Sequence, residues 1–242
     1  MTTLVVGASG ATGIKLVEEL LNRDQYVKVI VRSPEKLPET IKNHKRLSVI
    51  HASVLELSDE ELKQHVAGCG AVVSCLGHNM TFKGVFGKPR QLVTETTKRL
   101  CIAIKANNSE VSTKYVLMNT VANRNPDLNE AISFAQKCII VLLRLLLPPH
   151  PDNEKAAEHL RTIIGQKDNA IEWTAVRPSG LIDEENVSEI EVYQSPMKSI
   201  LKDGQISRIN VGYFMADLVT NNDIWKTWKG QMPVIYNKGT AL

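Results

Sequence analysis

Thr3-Leu4-Val5-Val6-Gly7-Ala8-Ser9-Gly10-Ala11-Thr12-Gly13 opens the chain and decides its fold. A short apolar run leads into glycines spaced Gly-x-x-Gly-x-x-Gly, and an amphipathic segment follows at once. That order is strand, tight turn, helix N-terminus. Gly7 suits the turn because it carries no Cβ penalty at positive φ. Gly10 lets a ligand approach the backbone, and Gly13 lets the helix pack closely on the strand. The unpaired N–H groups of the helix start, with their share of the macrodipole, suit a pyrophosphate. A glycine triplet between a strand and a helix, at the head of a βα repeat, therefore reads as a dinucleotide site.

Working outward, Ile14, Val17, Leu20 and Leu21 recur at helical spacing between Lys15, Glu18, Glu19 and Arg23. Val27 to Val31 is a β-branched second strand, ended by Arg32-Ser33-Pro34. The tip of this strand reads the adenosine ribose in dinucleotide-binding folds, and an acidic residue there would repel a 2′-phosphate. No Asp or Glu lies between Gln25 and Pro34, whereas Arg32 stands with Ser33 beside it. Arginine forms bidentate, charge-assisted pairs with phosphates, so the expected cofactor is NADP(H) in preference to NAD(H).

Further along, Leu47 to Ile50 predicts a third strand, and Ser58 with Glu61 predicts a capping box on a helix from Asp59 to Val66. Ala71 to Gly77 is a buried strand ending in glycine, which would leave room for the cofactor, with His78 next. A loop rich in Gly, Lys and Phe (Thr81 to Arg90) leads to a helix over Leu92 to Ala106, and Lys114 to Met118 is the fifth strand. Leu128 to Leu147 is apolar but too short, and too interrupted by Arg144, to span a bilayer. It reads as a helix covering one flank of the active-site crevice or as a partner surface, with its 138–147 part as the candidate contact for a protein partner or a homodimer. Pro151-Asp152 predicts the next helix, with Asp152 as its cap, Ala156, Leu160, Ile163 and Ile164 inward, and Gly165 at its end. Trp173 to Val176 is a strand; 182–210 reads as an irregular segment covering a substrate, with a helix at about Val211 to Thr220 and a last strand at Met232 to Tyr236. Strands alternating with helices give an α/β fold, a Rossmann-type doubly wound parallel sheet, with 1–242 as a single domain.

Composition narrows the function. A net charge of +3 over 242 residues is too small to point to nucleic acid. Hydrophobic content of 43% and charged content of 23% are those of an ordinary globular protein. The four cysteines form no C-x-x-C pair and no histidine pair has ligand spacing, so no metal is expected. No basic-then-apolar segment opens the chain, and the expected location is cytoplasmic.

Val5 to Gly13, Val31-Arg32-Ser33-Pro34 and Trp173-Thr174-Ala175-Val176-Arg177-Pro178 together resemble the atypical short-chain dehydrogenase/reductases. The resemblance is greatest to their NAD(P)H-binding, NmrA-like branch, which includes biliverdin/flavin reductase-type proteins, and it runs nearly end to end. It implies Gly7, Ser9, Gly10, Ala11, Thr12 and Gly13 at the pyrophosphate, and Arg32 and Ser33 at the 2′-phosphate. It implies Cys75, Leu76 and Gly77 under the adenine-side ribose, and Asn119, Thr120, Arg177, Pro178 and Ser179 around the nicotinamide. Ser53 stands where many relatives carry an adenine-contacting Asp. The Tyr-x-x-x-Lys pair of the parent superfamily is incomplete: Lys155 is the candidate lysine, but Pro151 occupies the tyrosine position. Thr120, Lys155 and His150 are then the candidate catalytic residues, with His78 and Tyr193 as further candidates for handling a proton. The implied activity is an NADPH-dependent reduction of a conjugated acceptor such as a flavin or quinone. The alternative is an NADP(H)-binding redox sensor that acts through a partner without turnover.

Overall fold

Valine, isoleucine and leucine crowd the strands because helices cover both faces of the sheet. In the computed structural model, which describes residues 1–78, 87, 89–128, 130, 134–197 and 204–241, the main sheet has eight strands. They are β1 (Thr2–Val6), β2 (Tyr26–Val31), β3 (Leu47–His51), β4 (Ala71–Ser74), β5 (Thr113–Met118), β6 (Ile171–Pro178), β8 (Ile190–Tyr193) and β10 (Val234–Asn237). A small second sheet pairs β7 (Gly180–Ile182) with β9 (Gln205–Ser207). The main order is β3-β2-β1-β4-β5-β6-β10-β8, parallel throughout except where β8 meets β10. The chain runs outward from β1 to β3 on one side and resumes with β4 on the other. The crevice between β1 and β4, at their carboxyl ends, is the switch point where such sheets bind ligands. This is the doubly wound Rossmann-type arrangement.

One face of the sheet is covered by α1 (Ala11–Asn22) and α7 (Arg208–Thr220), with α8 (Asn222–Trp228) following. The other is covered by α3 (Asp59–Val66), α4 (Leu92–Ala106) and α6 (Pro149–Glu158). A short α2 (Glu39–Lys42) precedes β3, and α5 (Phe134–Leu146) precedes α6. The capping box on α3 forms as expected: Ser58 Oγ accepts from the Glu61 N–H, and the Glu61 carboxylate accepts from the Ser58 N–H.

Three expectations change. Asp152 is not the cap of its own helix, since α6 already begins at Pro149; the carboxylate serves α4 instead. Ile163 is 66% exposed rather than inward. From His159 to Ile164 the helix widens into π-type turns, which shifts the phase that an α-helical period predicts. The segment expected to be irregular contributes β8 and β9, and Tyr193 on β8 packs edge-on against Tyr236 with ring centroids 6.0 Å apart. The Thr81 to Arg90 loop lies largely outside the described residues.

Candidate functional site

Gly7 turns the chain out of β1 at φ +77°, pressed against the end of β4. A Cβ at Gly7 would fall 2.5 Å from the Cys75 carbonyl carbon, and one at Gly13 would fall 2.2 Å from the Gly7 oxygen. Both glycines are therefore demanded by the protein's own packing. Gly10 differs: it is exposed, its φ of −81° suits any residue, and a Cβ there would find a single neighbour, the Gly7 oxygen at 3.3 Å. As N-cap of α1 it offers no side chain to the helix, and the first turn holds no acid. The N–H groups of Ala11, Thr12 and Gly13 have no intrahelical acceptor, as at any helix start. They leave a local positive end at the switch point.

Beside it lies a cavity of about 430 Å³ lined by Gly7, Ser9, Arg32, Ser53, Glu56 and Leu76, with Leu92 of α4 among the other lining residues. Arg32 is exposed, and among the described residues its guanidinium has no ion pair or hydrogen bond. Its carbonyl lies 3.1 Å from His51 Nε2, at hydrogen-bonding distance between the tips of β2 and β3. Ser33 follows as the N-cap of a short 3₁₀ turn. Cys75 is buried, and burial pushes its thiol up to about 12. Gly77 is exposed, with open space where a Cβ would stand.

The carboxyl ends of β5 and β6 hold the remaining candidates, and here several side chains have structural occupations. Asn119 Nδ2 donates to the Asn153 carbonyl at 2.9 Å, while Oδ1 accepts from the Thr120 N–H and from Asn123 Nδ2. It stitches the loop after β5 to α6. Arg177 is fully buried: Nε donates to the Met232 carbonyl, Nη1 to Asn123, Nη2 to Gln194, and Glu130 Oε1 lies 2.9 Å from Nη1. Every part of the guanidinium is engaged inside the protein. Pro178 and Ser179 are buried at the end of β6, and the Ser179 hydroxyl has no partner among the described residues. Thr120 is half-buried; its Oγ1 accepts weakly from the Ala122 N–H at 3.4 Å, and its proton has no acceptor among the described residues.

His150 and Lys155 do not join this group. His150 is buried in the first turn of α6, with Nε2 3.3 Å from Glu154 Oε1 but outside hydrogen-bonding geometry. Lys155 is exposed and lines a second cavity that shares no residue with the first.

A feature that sequence reading missed is the junction of His78, Asp152 and α4. Asp152 is 1% exposed, and its carboxylate accepts from the N–H groups of Val93 and Thr94 and from His78 Nε2, all at 2.8 to 2.9 Å. Burial alone would raise its pKa, but the contacts with His78, Thr94 and Val93 outweigh that and lower it. The partners of the Asp152 carboxylate lie 58, 59 and 74 residues away in sequence, beyond the reach of any local pattern.

Fold and site together define a dinucleotide-binding type of protein. The family model described as NAD(P)H-binding matches residues 7–222, and the chain belongs to that family. Solved structures share the fold. A short-chain dehydrogenase/reductase from Veillonella parvula in complex with NADP superposes with TM-score 0.71 at 16% identity, covering 100% of this chain and 96% of that one. A Streptococcus pneumoniae protein assigned as an NADH-flavin reductase gives TM-score 0.67 at 19% identity, covering 98% and 100%. An uncharacterized chloroplastic protein of Arabidopsis thaliana is 28% identical over 204 residues, 84% of this chain and 66% of that relative's length. The chain thus spans just under two thirds of the curated relative it matches. Among the described residues no helix is long and apolar enough to cross a membrane, and no group of three or more His, Cys, Asp or Glu could hold a metal.

Proposed function

We propose that the protein is an NADPH-dependent reductase of a conjugated small-molecule acceptor, such as a flavin or quinone, of the NmrA-like branch. The observation that carries this reading is the cavity lined by Gly7 and Ser9 of the turn leading into the bare N-terminus of α1 and by Arg32, which has no ion pair or hydrogen bond among the described residues. Bound NADPH would supply a hydride. The chain's own residues do the rest. The N–H groups of Ala11, Thr12 and Gly13 hold the pyrophosphate, with Ser9 and Gly10 leaving room for it. Arg32 and Ser33 hold the 2′-phosphate, and Ser53 and Leu76 border the adenosine. Cys75, Gly77, Pro178 and Ser179 form the walls, and Thr120 orients the nicotinamide end.

Pro151 at the tyrosine position leaves no evident acid to protonate an alkoxide. General acid catalysis typically contributes about 10²–10⁴-fold, so simple ketones and aldehydes should be poor substrates. Conjugated acceptors spread the incoming charge and need less help. NADPH oxidation measured against flavins, quinones and simple carbonyls tests this, with turnover expected for the first two classes. Fast reduction of a simple ketone would contradict it.

The apolar face of α5 favours a second reading. Val141, Leu142 and Leu146 are each more than half exposed, and Cys138 is exposed beside them. Such a face suits a protein partner or a second copy, as a redox sensor would need. NADPH binding without turnover of any acceptor would select it.

A further inference from the structure

The Asp152 carboxylate is bonded to two walls of the dinucleotide cavity at once. Leu76, just past the end of β4, and Leu92, the first residue of α4, both line that cavity. Two residues on from Leu76, His78 Nε2 lies 2.8 Å from Asp152 Oδ2. Next to Leu92, the Val93 N–H donates to the same oxygen at 2.8 Å, and the Thr94 N–H donates to Oδ1 at 2.9 Å. One carboxylate oxygen thus joins the chain leaving β4 to the start of α4. The Thr94 hydroxyl donates back to the Asp152 carbonyl at 2.9 Å, so α4 is fixed to α6 from both directions.

The Asp152 pKa lies below the ordinary carboxyl value, so the group is ionised at neutral pH. A carboxylate only accepts, and His78 Nε2 therefore carries the proton of this bond. The two side chains are 4% and 0% exposed, which leaves water little access to replace the bond once it is cut. The N-terminus of α4 does not depend on His78, because Val93 and Thr94 keep their own bonds to the carboxylate. What the histidine adds is a link between that helix end and the β4 side of the cavity.

We infer that His78 is a positioning residue for the cofactor: by donating to Asp152 it holds Leu76 at the spacing from Leu92 that a bound dinucleotide requires. This rests on the reading of the cavity as the NADP(H) site. With the bond cut, only part of the population presents walls at that spacing, and the apparent Kd rises by the reciprocal of that fraction. The effect falls on NADPH and NADH alike, because it acts on the walls and not on the phosphate at Arg32.

The test titrates NADPH and NADH by fluorescence into the full chain and its variants, well below their melting temperatures. His78→Leu keeps an apolar fill but has no donor. It should weaken both cofactors by about tenfold, the scale of one charged hydrogen bond, and leave their ratio unchanged. His78→Gln places an amide N–H where Nε2 stood and should recover most of the affinity. His78→Asn, too short to reach the carboxylate, should behave as the leucine variant does and makes the same test if that variant does not fold. A residue that only stabilised the fold would lower the melting temperature and leave the affinity of the folded chain as it was. Unchanged affinity in His78→Leu and His78→Asn, no recovery in His78→Gln, or a changed NADPH-to-NADH ratio would overturn the inference while leaving the cofactor site in place. No NADPH binding by the wild type would overturn both.

Discussion

The helices α1 and α4 both start at the carboxyl edge of the sheet, and the 430 Å³ cavity is bordered by Gly7 and Ser9 of the turn leading into α1 and by Leu92 of α4. Their N-termini are finished in opposite ways. At α1 the cap is Gly10, with no side chain and no acid in the first turn. At α4 a buried Asp152, delivered from α6, accepts from the second and third N–H groups and neutralises the helix end. An anion approaching the cavity thus meets one open positive end and one already satisfied. That contrast explains why the pyrophosphate reading belongs to α1, although both helices offer the same backbone geometry.

The comparison breaks most visibly at Gly13. Gly13→Val would drive side-chain atoms into the Gly7 carbonyl and the Ala8 Cα, neither of which can move without unfolding the turn. Loss of the cooperative thermal transition is expected; a variant that melts like the wild type would show the turn to be pliable. Gly10→Val sharpens the same point from the other side. Its backbone is extended and its neighbour must give only slightly, so the melting temperature should hold while NADPH binding is lost. Normal binding by that variant would make the glycine turn purely structural.

Sealing can be probed at α4. Asp152→Asn removes the charge from three hydrogen bonds, each worth about 1.5–3 kcal/mol when one partner is charged. A loss of about 3 kcal/mol is expected, or about 6–12 °C in melting temperature for a chain of this size. The folded-state pKa of Asp152 is depressed, so the carboxylate's contribution is complete above the unfolded value and fades as pH falls through the folded one. The gap between wild type and variant should therefore close below about pH 3.8, the ordinary carboxyl value. A gap independent of pH in urea melts across that range would assign the effect to packing rather than charge. The smallest effect is expected from Thr120→Val, which should lower turnover modestly, by lost positioning, and leave NADPH affinity near that of the wild type. Complete loss of turnover would make Thr120 a proton donor.

Where local sequence and fold agree, reading succeeded. The β1–Gly7–α1 unit, the Ser58/Glu61 capping box and the parallel order all follow from spacing within a few residues. It failed where a side chain serves a distant element. Asp152 carries the local signature of a helix cap, yet the N–H groups it satisfies belong to α4. Arg177 ends a strand at the expected edge, but its carboxylate partner Glu130 comes from the loop after β5. Ile163 was misread because a π-type turn changes the period within one helix, which no α-helical template contains. Lys155 and His150 lie on the helix expected to carry catalysis, and only the structure separates their faces from the first cavity.

The central claim is that α1 and Arg32 together form an NADP(H) site. Fluorescence titration of NADPH and NADH against the wild type and Arg32→Ala tests it most directly. One charged hydrogen bond of about 1.5–3 kcal/mol corresponds to a preference of about tenfold or more. NADPH should bind the wild type more tightly by that factor, and Arg32→Ala should erase most of the difference while leaving NADH affinity nearly unchanged. Equal affinities for the two cofactors in the wild type would contradict the account.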